Sequence, residues 1–231
     1  MTTPGPGPLP YGTPDAPRIA VRGEAHLDVD PEIARIGITV TARGRDRRTA
    51  LDDLTHRNTT VLDLVKSYGD AVERLETGAL SLTPHLAKGR GERVRTYQGT
   101  VHLTAELTDF TALGELTTRL ADLDLTRVDG PWWSLRPDSP AHRDARRRAV
   151  HEAVQRAREY AEALGTTLAA LVELADTGAE TPQPYAPGPM RSVAYAAGAE
   201  DASTAPLDLE PQRQHIYATV NARFTMNPPT L

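Results

Sequence analysis

Seven histidines, several clustered charges and one adjacent tryptophan pair are the residues of this chain with chemistry to offer. The histidines are His26, His56, His85, His102, His142, His151 and His215, and none forms the HExxH or H-x-H spacing that seats a metal ion. His26 and His102 fall on the polar faces of two expected strands; a shared sheet would let them meet, but two separate solvated strand histidines are the simpler reading. His142 and His151 lie on nearly one side of an expected helix but about two and a half turns apart, too far for one ion. Asp28 with Asp30, and Asp122 with Asp124, have the oxygen chemistry of a divalent-cation site, although acidic turn residues beside strands are far commoner without an ion. No metal ligand set and no cofactor is expected.

The basic residues offer anion chemistry. Ala87 to Arg93 (AKGRGER) is glycine-rich and basic, as phosphate loops are. It lacks the G-K-[ST] ending and lies between two strands instead of opening a helix, so a hairpin tip is the simpler reading. Arg43 to Arg48 (RGRDRR) and Arg143 to Arg148 (RDARRR) place cations at helix starts, where the helix dipole is positive and disfavours them. That mismatch makes Arg45, Arg47, Arg48, Arg146 and Arg147, with Lys88 and Arg90 of the loop, candidate contacts for an anion. In Trp132-Trp133, neighbours on a strand point to opposite sides, so one indole is expected in the core and the other at an interface. G-x-S-x-G is absent and no nucleophile–base pair can be named, so a non-enzyme is expected.

Composition narrows the classes further. A net charge of −5 argues against a general nucleic-acid binder. The absence of cysteine excludes disulfides, thiolate metal sites and a cysteine nucleophile, and leaves the redox compartment open. No run approaches the roughly 20 apolar residues that span a bilayer as a helix. The first residues, MTTPGPGPLPYGTPDAP, have neither a basic start nor an apolar core, which leads to the expectation of a cytoplasmic protein. Their prolines and glycines suit a disordered or extended tail over residues 1–17.

The elements that must position these residues follow from periodicity. Ile19, Val21, Gly23, Ala25 and Leu27 alternate with charged neighbours, as in a half-buried strand. After the Asp30-Pro31 turn, Ile36, Ile38, Val40 and Ala42 alternate again, so a hairpin with the first strand is expected. Asp46 caps a helix carrying Leu51, Leu54, Val61, Leu62 and Val65. Two strands, Val72 to His85 and Tyr97 to Leu107, lead to an Asp109-capped helix, and Leu123 to Leu135 is a strand broken near Gly130-Pro131. A long helix then runs from Ser139, with Pro140 at its first position, to Gly165. Its apolar stripe is mostly alanine (Ala145, Ala149, Ala153, Ala157, Ala161), which allows close approach to a sheet. Leu168 to Ala175 favours a strand over a helix, residues 178–212 are a Pro/Ala/Gly-rich loop, and Ile216 to Met226 is a regular strand that must pair with an earlier one. The order ββαββαβα(β)β predicts an α+β domain over residues 18–226, antiparallel sheet with helices on one face, with residues 227–231 a short tail.

Local patterns join that order. V-R-G-E-A at Val21 to Ala25 and D-P-E-I-A-R-I-G-I-T-V at Asp30 to Val40 are followed by Ala50 with Asn58 and by L-S-L-T-P at Leu80 to Pro84. Tyr97-Gln98-Gly99 and A-x-A-L-G at Ala161 to Gly165 continue the series. Together they resemble the SIMPL-domain family, a bacterial family largely of unknown function that includes periplasmic immunogenic proteins of Gram-negative species. The resemblance covers about Arg18 to Met226 and implies an α+β fold and, in some members, ring-like or larger homo-oligomers. It supplies no agreed catalytic residues, and this sequence departs from most members in lacking an export signal. The leading expectation is a non-enzymatic assembly or interaction protein that self-associates, or takes a protein partner, through strand edges or Trp132-Trp133. A small anionic-ligand-binding module using the arginine clusters is the alternative.

Overall fold

The computed structural model describes residues 12–86, 94–176 and 207–230. Along the chain run β1 (Arg18–Val29), β2 (Ile33–Gly44), α1 (Arg47–Lys66), β3 (Val72–Leu86), β4 (Val94–Leu107) and α2 (Phe110–Ala121). They are followed by β5 (Thr126–Ser134), α3 (Pro140–Ala163), β6 (Leu168–Asp176) and β7 (Gln214–Met226). This is the expected α+β order, with Leu168 to Asp176 a strand. The strands form two sheets, ordered β3-β4-β2-β5 and β1-β7-β6. Contacts cluster accordingly into two compact units: Asp30–Pro137 with Ala197–Gln214, and the rest of the chain.

In the four-stranded unit β2 is central, antiparallel to β4 (Ile38 opposite Leu103) and to β5 (Ile38 opposite Val128). One face carries Ala34, Ile36, Ile38 and Val40 of β2 with Leu103, Ala105 and Leu107 of β4. Leu54, Val61 and Val65 of α1 and Leu113, Leu116 and Leu120 of α2 close over that face, giving a core of large aliphatic side chains. Asp46 caps α1, accepting from the Thr49 amide at 2.9 Å, and Asp109 caps α2 through the amides of Thr111 and Ala112. Residues after the undescribed stretch join this unit as well: the Leu207 amide donates to Thr118 Oγ1, and Leu209 packs on the core.

In the three-stranded unit α3 lies on one face of the sheet. Ser139 caps it with Pro140 in the first turn. Its end is a Schellman closure, in which Gly165 takes φ +68°, the Gly165 amide bonds Glu162 O and the Thr166 amide bonds Ala161 O. The alanine stripe is fully buried, and Ala149, Ala153 and Ala157 pack with Val21, Val220, Ala222 and Phe224. Approach is closest at Gly23: a Cβ there would stand 2.1 Å from Ala149 O and 2.7 Å from the Ala153 Cβ. The glycine of the V-R-G-E-A pattern therefore has a steric cause.

One expectation fails. β1 and β2 do not form a hairpin, because β1 pairs with β7 while both sides of β2 are taken by β4 and β5. Alternation names the faces of a strand, not its neighbours. The break foreseen in the fifth strand is a register shift opposite Arg35 to Gly37, and β3 carries another between Thr77 and Leu80. The expected hairpin tip Ala87 to Arg93 and most of the 178–212 loop lie outside the described residues.

Three outcomes follow. Gly23→Ala forces α3 off the sheet and lowers stability by about 3 kcal/mol. Gly78→Ala, whose added Cβ meets only His102 O at 3.5 Å, stays within about 0.5 kcal/mol of the parent in urea denaturation. The Thr49 amide, then the Thr49 hydroxyl, hold the Asp46 carboxyl below its ordinary 3.8. A depressed carboxylate contributes stability that is complete above the unfolded value and is lost as pH falls through the folded one. Helical circular dichroism of Asp46→Asn should therefore decline less steeply below about pH 4 than that of the parent.

Candidate functional site

The tryptophan pair divides as strand geometry requires. Opposite Ala34 and Arg35 of β2, Trp133 and Trp132 point to opposite sides of the sheet. Trp133 packs on the four-stranded core, edge-on to Phe110 with ring centroids 4.8 Å apart. Trp132 is 43% exposed on the outer face of β5, an edge strand, and its ring lies against Gly37.

The arginines are dispersed. Arg45, Arg47 and Arg48 are exposed at the start of α1 in the four-stranded unit, with the Arg47 guanidinium over the Tyr97 ring at 5.5 Å. Arg48 also lies close enough to Asp46 to help hold its carboxyl ionised. Arg146 and Arg147 are exposed on α3 in the other unit. Lys88 and Arg90 lie outside the described residues.

His26 and His102 do not meet. His26 belongs to the three-stranded sheet and His102 to the four-stranded one, where its Nδ1 is 3.0 Å from Thr39 Oγ1. The neighbour of His26 is instead His215. β1 sends His26 and Asp28 to the face away from α3, and the adjacent β7 sends His215 and Tyr217 to the same face. Asp28 Oδ1 lies 2.9 Å from His26 Nε2 and 2.5 Å from His215 Nδ1. The two imidazoles are nearly parallel, 5.6 Å apart at 20°, and the Tyr217 ring leans on His26 at 4.5 Å. The hydrogen bond with His215 holds the Asp28 carboxyl below its ordinary value, outweighing the opposing desolvation. Asp30 does not join this group and pairs with Arg213. The signal was present in part, since His26 and Asp28 are two apart on one strand face. Their meeting with His215, 187 residues on, depends on sheet order.

A second feature is the outer edge of β6, beside which no strand stands among the described residues. Leu171, Val172 and Leu174 are exposed on it. Beside them, between α3 and β6, a cavity of about 430 Å³ is lined by Val154, Ala161, Leu168, Leu171 and Phe224, with Arg158 and Glu162 among its polar groups.

Two antiparallel sheets, each with its helices on one face, define an α+β scaffold with open strand edges. Residues 19–224 match the model of the SIMPL family, described as a protein of unknown function (DUF541), and the chain belongs to that family. It is similar to the 26 kDa periplasmic immunogenic protein of Brucella melitensis, 26% identical over 189 residues that cover 78% of this chain and 75% of the relative. The protein of the same name from Brucella abortus matches over the same shares at the same identity. These names overturn the cytoplasmic expectation, which rested only on the residues at the start of the sequence. A crystal structure from Burkholderia cenocepacia, provisionally assigned as an amidohydrolase/peptidase, is 19% identical with a TM-score of 0.26. The match covers 57% of this chain and 33% of that one, and a likeness so slight carries no argument.

The two indoles should separate in solution. In Trp132→Phe the remaining Trp133 is expected to emit at shorter wavelength and resist acrylamide quenching, whereas in Trp133→Phe the remaining Trp132 is quenched readily. Trp133→Ala costs about 3 kcal/mol through the cavity it leaves in the core.

Proposed function

We propose that this chain is a non-enzymatic assembly subunit that associates with copies of itself through the outer edge of β6, in a periplasmic setting. The observation that carries this reading is the composition of that edge. Natural edge strands are usually blunted by charges, prolines or a covering element, because their unpaired amides and carbonyls template pairing with another chain. Among the described residues β6 has little of this. Its Glu173 is tied to Arg223 of the neighbouring β7, and the remaining charge, Asp176, stands at the strand end. Around Glu173, Leu171, Val172 and Leu174 are 55%, 43% and 46% exposed. The opposite edge of the same sheet is managed differently: on β1 the Glu24 amide donates to the Glu152 carboxylate of α3 at 3.0 Å.

A second copy fits the β6 edge on two grounds. Antiparallel pairing of an edge with itself is isologous and closes as a dimer without leaving a complementary surface open. The cavity between α3 and β6 also offers Leu168, Val154 and Phe224 as a landing surface for the aliphatic side chains of a docked strand. The periplasmic setting comes from the names of the Brucella relatives, and a chain without cysteine is chemically indifferent to that oxidising compartment.

Light scattering after size exclusion tests the reading. The parent chain is expected to run as a dimer or larger species at tens of micromolar. Leu171→Lys with Leu174→Lys should run as a monomer with unchanged circular dichroism, and Trp132→Ala should associate as the parent does. A monomeric parent, or association that survives the double lysine variant, would sink it.

A further inference from the structure

We propose that His26, Asp28 and His215 form a binding site for a divalent transition-metal ion of the zinc class on the outer face of the three-stranded sheet. Two imidazole nitrogens and one carboxylate oxygen converge there, all within 4.8 Å of one another. Among the described residues they are the one group of three such ligands that does so. This inference stands independently of any pairing at β6.

The geometry is close to what an ion needs. Zinc holds imidazole nitrogen and carboxylate oxygen at about 2.0–2.2 Å, which in a tetrahedron separates ligand atoms by about 3.3 Å. Asp28 Oδ1 stands 2.9 Å and 2.5 Å from the two nitrogens. Each of these two contacts thus has to lengthen by less than about 1 Å to reach the spacing of a tetrahedral shell. All three side chains are about half exposed, which leaves them room to adjust on the solvent side. The backbone holds the larger part of the arrangement. His26 and Asp28 are alternate residues of β1, and β7 lies beside β1 with His215 on the same face. Bringing the ligands together is accomplished by folding, not by binding. Tyr217 leans on the His26 ring and restricts its rotation.

Donor chemistry selects the class of ion. Calcium and magnesium require six or more oxygen ligands or several retained waters, and two imidazoles serve them poorly. Soft ions prefer thiolate, and the chain has no cysteine. Two neutral imidazoles with one carboxylate suit zinc and its first-row neighbours, leaving a fourth position on the open side for water. Such a three-ligand set with an exchangeable position also permits a donor from a second molecule to complete the shell.

The test is titration of the full chain, free of any affinity tag, with ZnCl2 by isothermal calorimetry in a non-chelating buffer near neutral pH. Saturable one-to-one binding is expected, weakened more than about tenfold in His26→Ala, in His215→Ala and in Asp28→Asn. His151→Ala on α3 should bind as the parent does, and MgCl2 and CaCl2 should give no saturable heat. A measurement on the unaltered chain removes any dependence on how the variants fold. In imidazole ring NMR spectra, Zn2+ should move the signals of two histidines, those missing from His26→Ala and His215→Ala. Absence of saturable zinc binding, zinc binding that persists in the double variant His26→Ala, His215→Ala, equal binding of Mg2+, or uniform response of all the histidines would each overturn the site.

Discussion

β7 pairs with β1 on one side and with β6 on the other, and the three-stranded unit depends on that double pairing. β1 comes from before β2 and β6 from the segment after α3, and among the described residues neither has another strand for a neighbour. Without β7 each would present two unpaired edges, and α3 would have no continuous surface on which to bury its alanines. The same pairing fixes what stands on the opposite face. Because side chains alternate, the register that sends Val220, Ala222 and Phe224 under α3 sends His215, Tyr217 and Arg223 outward beside the polar residues of β1 and β6. Core and candidate site are therefore two consequences of one hydrogen-bonding choice.

The two units solve burial differently. In the four-stranded unit, Ile36, Ile38, Leu54, Leu103, Leu113, Leu116 and Leu120 supply large fully buried side chains, and the helices stand off the sheet by the thickness of those chains. In the three-stranded unit the helix contributes alanine and the sheet contributes Gly23, so backbones approach closely and each residue removes less apolar area from water. Close packing recovers dispersion contacts in place of transfer energy, at the cost of tolerance to any added methyl group. A unit that buries modest area internally while leaving Leu171, Val172 and Leu174 in water has unspent hydrophobic driving force on its surface. That imbalance gives a physical motive for association at β6.

The outward face of the same sheet is organised by charge. Arg223 with Glu173, Arg22 with Glu24, and Asp28 between His26 and His215 pair across or along the strands. Exposed pairs of this kind contribute little to stability, since water screens them and their side chains lose freedom in pairing. The Asp28 group differs from the others in composition. It contains imidazoles with nitrogen lone pairs in place of a permanently protonated guanidinium, and so has coordination chemistry that the arginine pairs lack.

Most of the secondary structure was legible in the chain itself. Asp46, Asp109, Ser139-Pro140 and Gly165 mark helix ends by local hydrogen bonding, and a period of two or of 3.6 residues distinguishes strands from helices without reference to distant parts. Even the opposed faces of Trp132 and Trp133 follow from the pleat of one strand. What those signals lack is partner identity. Alternation told which side of β1 is apolar, but a hairpin with β2 and a pairing with β7 satisfy it equally, and the hydrogen bonds that decide between them are made by backbone groups common to every residue. Tertiary structure alone separated His26 from His102 and set it beside His215. It did so because sheet order is fixed by the total burial of both faces, a property that belongs to the assembled unit and to no single stretch of sequence.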